Sequence, residues 1–218
     1  MVVMLVVATF AIAIMVDVAL VRRLAEKKAR QLVSQRVVAE QLEESTDADR
    51  DLMFHEGHTW VKLLKAVVSV GLDDFTQRFV GKIDKIEVPK TGAKVKRGQR
   101  LWTVRFGDRS FTQVAPVSGT VVEVNERLIA DPTVINRSPY AAGWVLKIVP
   151  DSLNRELPEL LSPSRFERWV HSQKSKFFPE FLPDLQPAYG DGGELVNGAA
   201  SQLDEARWEE LSRKLFGV

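Results

Sequence analysis

Cysteine is absent from all 218 residues. That removes disulfides, thiolate zinc sites and cysteine nucleophiles, and it leaves the redox compartment open. A charge excess is also missing: 30 Lys and Arg stand against 29 Asp and Glu, a net +1. The overall balance therefore gives no case for nucleic acid, although local asymmetry still matters. No G-x-G-x-x-G, phosphate-binding loop or nucleophile elbow occurs, so the motif set of a nucleotide enzyme or a serine hydrolase is lacking. His55-Glu56-Gly57-His58 places two histidines three apart. It is not the HExxH zinc motif and no third ligand is apparent, so it carries no metal reading. His171 reads as a surface residue. Asp73-Asp74 reads as a helix cap rather than a catalytic pair. One further absence is local: no lysine stands between Lys96 and Lys147.

The first 21 residues, MVVMLVVATFAIAIMVDVALV, carry one charged side chain, Asp17. As a helix they would span about 31 Å, matching a hydrocarbon core of roughly 30 Å. RRLAEKKAR follows, with Arg22, Arg23, Lys27, Lys28 and Arg30 opposed only by Glu26. Nothing basic precedes the apolar run. The positive-inside rule then predicts a retained single-pass anchor in a bacterial-type inner (cytoplasmic) membrane, N-terminus outside and main domain in the cytoplasm. A helical pattern continues to about Glu44, as a stalk that packs on a partner helix, lies at the lipid surface or stays solvated. The polar break STDADRD, residues 45–51, marks a domain boundary.

Beyond it the texture turns to β. TWVKLL, AVVSVGL, KIDKIEV, KVKRGQRLWTV, SFTQVAPV, TVVEVNERL and GWVLKIV read as short strands separated by turn signals. Such spacing predicts a small sandwich or barrel. DDFTQRFVG reads as a short helix ended by Gly81. The stretch KTGAKVKRGQR gathers Lys90, Lys94, Lys96, Arg97 and Arg100 into a basic patch that could touch anionic lipid or be a solvated turn. Later, Ser164 is placed to cap a helix RFERWVHSQKS. FFPEFLPDLQPAYGDGG is too rich in Pro and Gly for a helix, yet more apolar than a linker needs. SQLDEARWEELSRKLFGV reads as a terminal amphipathic helix capped by Ser201, with Trp208, Leu211 and Leu215 on one stripe.

Five of these pieces occur together in a recognisable order. HTW at His58–Trp60, VGLDDF at Val70–Phe75, VGKIDKIEVPKTGAKVKRGQ, APVSGTVVEVNERL and the run from Pro132 through INRSPYAAGWVLKI resemble the glycine cleavage system H protein family. The resemblance covers a little over half the chain. It implies a mainly β, lipoyl/biotinyl-type flattened sandwich (a barrel-sandwich hybrid) with short flanking helices. In that family a lysine eight residues before the Pro of PVSG receives lipoate through an amide. Eight before Pro116 stands Asp108, and Arg105 stands where the family has an acid. A carboxylate cannot accept that amide, and a guanidinium is protonated and not nucleophilic. The resemblance without its lysine implies a domain that is not lipoylated and holds no cofactor.

The expected layout is an anchor over 1–21, a stalk over 22–51, an H-protein-like domain over 52–173, and an extension over 174–218. The expected function is a non-catalytic, membrane-anchored subunit that docks other protein subunits of a membrane complex; fold-level analogy suggests a redox or respiratory one. Neither nucleic acid nor a small-molecule substrate is expected. Arg105, Phe106, Asp108, Arg109 and Phe111 on the altered hairpin are the first docking candidates. Phe177, Phe178 and Phe181, then Trp208, Leu211 and Leu215, are the second and third groups. The alternative is a membrane-tethered lipoyl-type carrier of a glycine-cleavage-like or other lipoate-dependent system, acylated on a distant lysine such as one in KVKRG.

Overall fold

The computed structural model describes residues 52–183 and 197–216. The expected anchor (1–21), the stalk (22–51) and most of the Pro/Gly-rich segment (184–196) lie outside the described residues. Among the described residues no helix is long and apolar enough to cross a membrane.

Among the described residues nine strands form two sheets. In chain order they are β1 (Leu52–His55), β2 (Thr59–Leu64), β3 (Val67–Leu72), β4 (Lys85–Glu87), β5 (Lys94–Val95), β6 (Arg100–Phe106), β7 (Arg109–Val114), β8 (Gly119–Val124) and β9 (Trp144–Pro150). The larger sheet has six strands in the order β1-β2-β3-β9-β8-β5, and the smaller has three in the order β4-β6-β7. All the pairings are antiparallel; the short connections β1-β2, β2-β3 and β6-β7 require it, whereas β9 joins β3 and β8 across longer stretches of chain. VVSVGL in β3 is buried at all six positions, because it lies between β2 and β9 and is covered on both faces. In β7 alternate residues Phe111 and Gln113 turn inward while Ser110 is exposed, the period of two expected of a strand with one wet face. Phe54 closes the outer edge of β1 through paired backbone bonds to Leu161 of 2.8 and 2.7 Å. The sandwich with short flanking helices is therefore the lipoyl-type architecture that the sequence motifs imply.

Helix α1 (Asp74–Val80) begins where the Asp73 side chain accepts from Thr76 N, and it ends at Gly81. Short helices α2 (Glu126–Ala130), α3 (Val134–Arg137) and α4 (Leu153–Glu156) sit in the connections around β9. Three expectations about the later helices are corrected. Helix α5 (Pro163–Phe181) starts after Ser162 with Pro163 in its first turn, not at Ser164, and it runs on through Pro179. A proline inside a helix costs about 3 kcal/mol. Burial of Phe177, Phe178 and Phe181 returns roughly 1.5–3 kcal/mol each, so packing outweighs the local penalty. Helix α6 (Glu205–Phe216) is capped by Asp204, whose carboxylate accepts from Arg207 N at 2.8 Å. Ser201 instead belongs to a preceding 3-10 turn and donates to the Gly198 carbonyl.

One hydrophobic cluster runs through both parts of the described chain, from Trp60, Trp102 and Ile148 of the sheets to Leu203, Leu211 and Phe216 of the tail. The tail approaches α1 closely at one point. Gly81 has φ +77, and a Cβ there would lie 2.9 Å from the Gly198 Cα, so only glycine fits.

Candidate functional site

The altered hairpin is the natural starting point. Phe106 pairs with Arg109, so β6 and β7 are joined by two residues, Gly107 and Asp108. Gly107 has φ +52. A glycine at the first central position is the requirement of a type II′ hairpin turn, whose twist matches the strands. Asp108 is thereby exposed at the tip. The turn is braced from β4's side: Gly107 N donates to the Asp84 carboxylate at 2.7 Å, and Asp84 N donates to the Arg105 carbonyl at 2.9 Å. Arg105 points outward and donates to Glu87 at 3.0 Å, sharing it with Lys85 at 2.9 Å. Hydrogen bonds from Lys85 and Arg105 hold the Glu87 carboxyl below its ordinary range.

Arg109 does something the sequence reading missed. Its guanidinium donates to the carbonyls of Ala200 and Leu203, sits 5.8 Å over the Trp208 ring and reaches Glu205 at 3.8 Å. It is a clamp on the tail. Hairpin parity contains the signal, because a residue that pairs across a two-residue turn shares its face with its partner. Phe106 faces in, so Arg109 does too.

Phe106, Phe111, Phe177, Phe178, Phe181, Trp208, Leu211 and Leu215 were expected to offer docking surface. They are all buried, and they are spent on one another. Trp208 meets Phe106 edge-on at 5.1 Å, Phe216 stacks on Phe111 at 4.2 Å, and Phe178 stacks on Phe79 of α1 at 5.7 Å. The tail covers the hairpin's inner face, which leaves Val149 as the one exposed large hydrophobic among the described residues. Of the docking candidates, only Arg105 and Asp108 remain exposed.

Beside the tip lies an open cleft of about 640 Å³, bordered by Lys82, Asp84, Asp108, Asn197, Ser201 and Glu205. Its rim mixes carboxylates with one exposed amine, Lys82, which lies 3.7 Å from Asp84.

The two histidines of HEGH do different jobs. His58 is fully buried at φ +60, with Nδ1 2.8 Å from Asp73; Asp73 thus joins a helix cap to a buried imidazole. His55 Nδ1 accepts from Gly57 N at 2.9 Å. Burial, with the Arg97 charge second, lowers the His55 pKa to about 4. The basic patch is exposed at Lys90, Lys94, Lys96 and Arg100, whereas Arg97 turns aside to Glu159.

With the hairpin, the two sheets and the PVSG turn in place, residues 52–173 match the glycine cleavage H-protein family. The chain belongs to that family. The H protein of Carboxydothermus hydrogenoformans is 37% identical over 124 residues, covering 57% of this chain and 95% of that one. A probable H protein of Aeropyrum pernix is 36% identical over 125 residues, covering 57% and 87%. The mitochondrial H protein of Oryza sativa is 37% identical over 117 residues, covering 54% and 71%. The crystal structure of a Mycobacterium marinum H protein superposes with a TM-score of 0.51 at 26% identity, covering 55% of this chain and 96% of that one. The family match ends at residue 173, inside α5. The clamp on Ala200 and Leu203 therefore joins the H-protein hairpin to chain beyond the family match.

Proposed function

We propose that this chain is an H-protein family member without the swinging arm: a non-catalytic, membrane-attached subunit that docks partner proteins of a membrane complex. The observation that carries the reading is Asp108. It occupies the exposed tip of a tight hairpin, where the family resemblance places the lipoate-accepting lysine, and an acid offers no amine. The tail clamp supports the same reading, since Arg109, next to the tip, is committed to the chain's own carbonyls. Docking then falls to polar groups, because the described surface has almost no large apolar side chain to offer. Membrane attachment is supported by the apolar run MVVMLVVATFAIAIMV and the cations that follow it. A redox or respiratory complex is the assembly we favour, by fold analogy alone.

The second reading, a membrane-tethered lipoyl carrier, draws on family membership and on Lys82, an exposed amine on the cleft beside Asp108. Intact-mass measurement on natively expressed protein separates the two. We expect the unmodified chain mass. A lipoyl adduct, mapped by peptide analysis to Lys82 or to any other side chain, would overturn the arm-less reading. Expression of Asp108→Lys with a lipoate ligase supplies the positive control: modification there shows that the tip geometry still suits the reaction once an amine is present.

A further inference from the structure

We propose that residues 90–100 are a contact for anionic phospholipid headgroups, so that the barrel lies on the membrane by its β5 side and holds the hairpin tip away from it. The inference rests on the membrane attachment proposed above. In a chain with nearly balanced charge, KTGAKVKRGQR holds five cations and no acid. The fold sets four of them outward. Val95 is buried, so Lys94 and Lys96 on either side of it face away from the core. Lys90 precedes the turn at Gly92, and Arg100 opens β6 with a hydrogen bond to the Thr112 hydroxyl.

Among the described residues these four have no ion-pair partner, in contrast to many exposed cations elsewhere. Lys85 and Arg105 share Glu87, Arg137 holds Asp131, and Lys214 holds Glu210. Two of the nearby acids are engaged: Glu159 takes Arg97, and Glu156 accepts from Ser118 N and Oγ at 2.8 and 2.6 Å. Asp151, exposed just after β9, stays as an opposing charge.

The composition of the patch argues for lipid over an acidic protein. Protein interfaces favour aromatic and arginine anchors and are depleted in lysine. Here lysines alternate with Thr91, Gly92, Gly98 and Gln99 and no aromatic side chain intervenes, which suits a diffuse anionic sheet. Each lysine near such a surface strengthens binding on the order of fivefold. The tether permits the pose. β1 and β5 lie at opposite edges of the six-stranded sheet, about 24 Å apart at ~4.8 Å per strand. Thirty residues, 22–51, reach about 45 Å even as a continuous helix at ~1.5 Å per residue. The tip lies six residues along β6 from Arg100, about 20 Å away at ~3.3 Å per residue.

The absence of cysteine makes the test simple. Full-length Thr91→Cys and Asp108→Cys each take a single fluorophore and are mixed with phosphatidylcholine vesicles, with or without about a third phosphatidylglycerol. Flotation reads attachment, and quenching by a headgroup-linked nitroxide reads proximity. In anionic vesicles at about 0.1 M salt we expect the Thr91 label to be quenched at least roughly threefold more than the Asp108 label, and the difference to vanish near 1 M salt. Lys90→Glu, Lys94→Glu and Lys96→Glu combined should abolish it while flotation persists. Equal quenching at the two labels in anionic vesicles, or quenching of Thr91 indifferent to lipid charge, overturns the patch. Protection of the Thr91 site by an acidic partner protein, without lipid contact, overturns it as well. A chain that floats only with anionic vesicles keeps the patch and discards the anchor; a chain that floats with neither discards both.

Discussion

Residues 52–173 and residues 197–216 bury their apolar side chains by different routes. The β domain supplies most of its own core: Val61, Val70, Leu146 and Ile148 are fully buried in adjacent strands β2, β3 and β9, which are covered on both faces over most of their length. Helix α6 has one apolar stripe and no second layer of its own, so Trp208, Leu211 and Leu215 are buried by packing on other elements, chiefly the hairpin and α5, with Phe79 of α1 beside Trp208. The dependence runs both ways, because Phe106 and Phe111 are covered by Trp208 and Phe216. The hairpin is covered by its own chain, and the cover is polar at its edge through Arg109 and aromatic at its centre through Trp208 and Phe216.

The strongest way to break this comparison is to hollow out the cover. Trp208→Ala should cost about 3–5 kcal/mol, the usual penalty for truncating a buried Trp, and denaturant unfolding should show a single transition because both parts share one core. Two separated transitions would mean that the tail melts alone. Acid probes the barrel side instead. His55, held near pKa 4 against an ordinary value of 6.5, must stay neutral in the fold, so the unfolded chain binds more protons between those values. Stability then rises with pH across that window. Acidification from pH 6.5 to 4 should remove about 3 kcal/mol through this one residue, and His55→Asn should flatten that part of the profile. Loss of an equal amount in the variant would exclude His55 as the cause. The smallest expected effect sharpens the joint itself. Arg109→Lys keeps the charge but loses the fork that reaches two carbonyls. About 1–2 kcal/mol of destabilisation is expected, of the order of one charge-assisted hydrogen bond, measured by thermal unfolding against Arg105→Lys as an exposed control.

Most of the strands, the Asp73 cap and the Gly81 stop are legible in the sequence because each is a local decision, set by an apolar run, a capping side chain or a glycine; the four-residue β1 (Leu52–His55) is not, and KVKRGQRLWTV, read as one strand, divides into β5 and β6. The meaning of the hairpin aromatics is not. Phe106 and Phe111 look the same whether they face a partner or the chain's own tail, since period-two alternation says inward without saying against what. Pro179 misleads for a related reason: a local rule ends the helix, and distant burial of Phe177, Phe178 and Phe181 carries it on. Of the candidate site, the place of Asp108 follows from the family resemblance, which sets the acceptor position eight residues before Pro116. The Arg109 clamp is a contact between residues 91 and 94 positions apart, and nothing in local pattern names its acceptors.

The clamp also sets a timetable. Phe111 is made 105 residues before Phe216, so at about 5–20 residues per second the inner face of the hairpin waits roughly 5–20 s on the ribosome for its cover. During that interval two aromatic rings and an arginine lack the segment that later covers them, so the inner face of the hairpin is completed only by the last residues of α6.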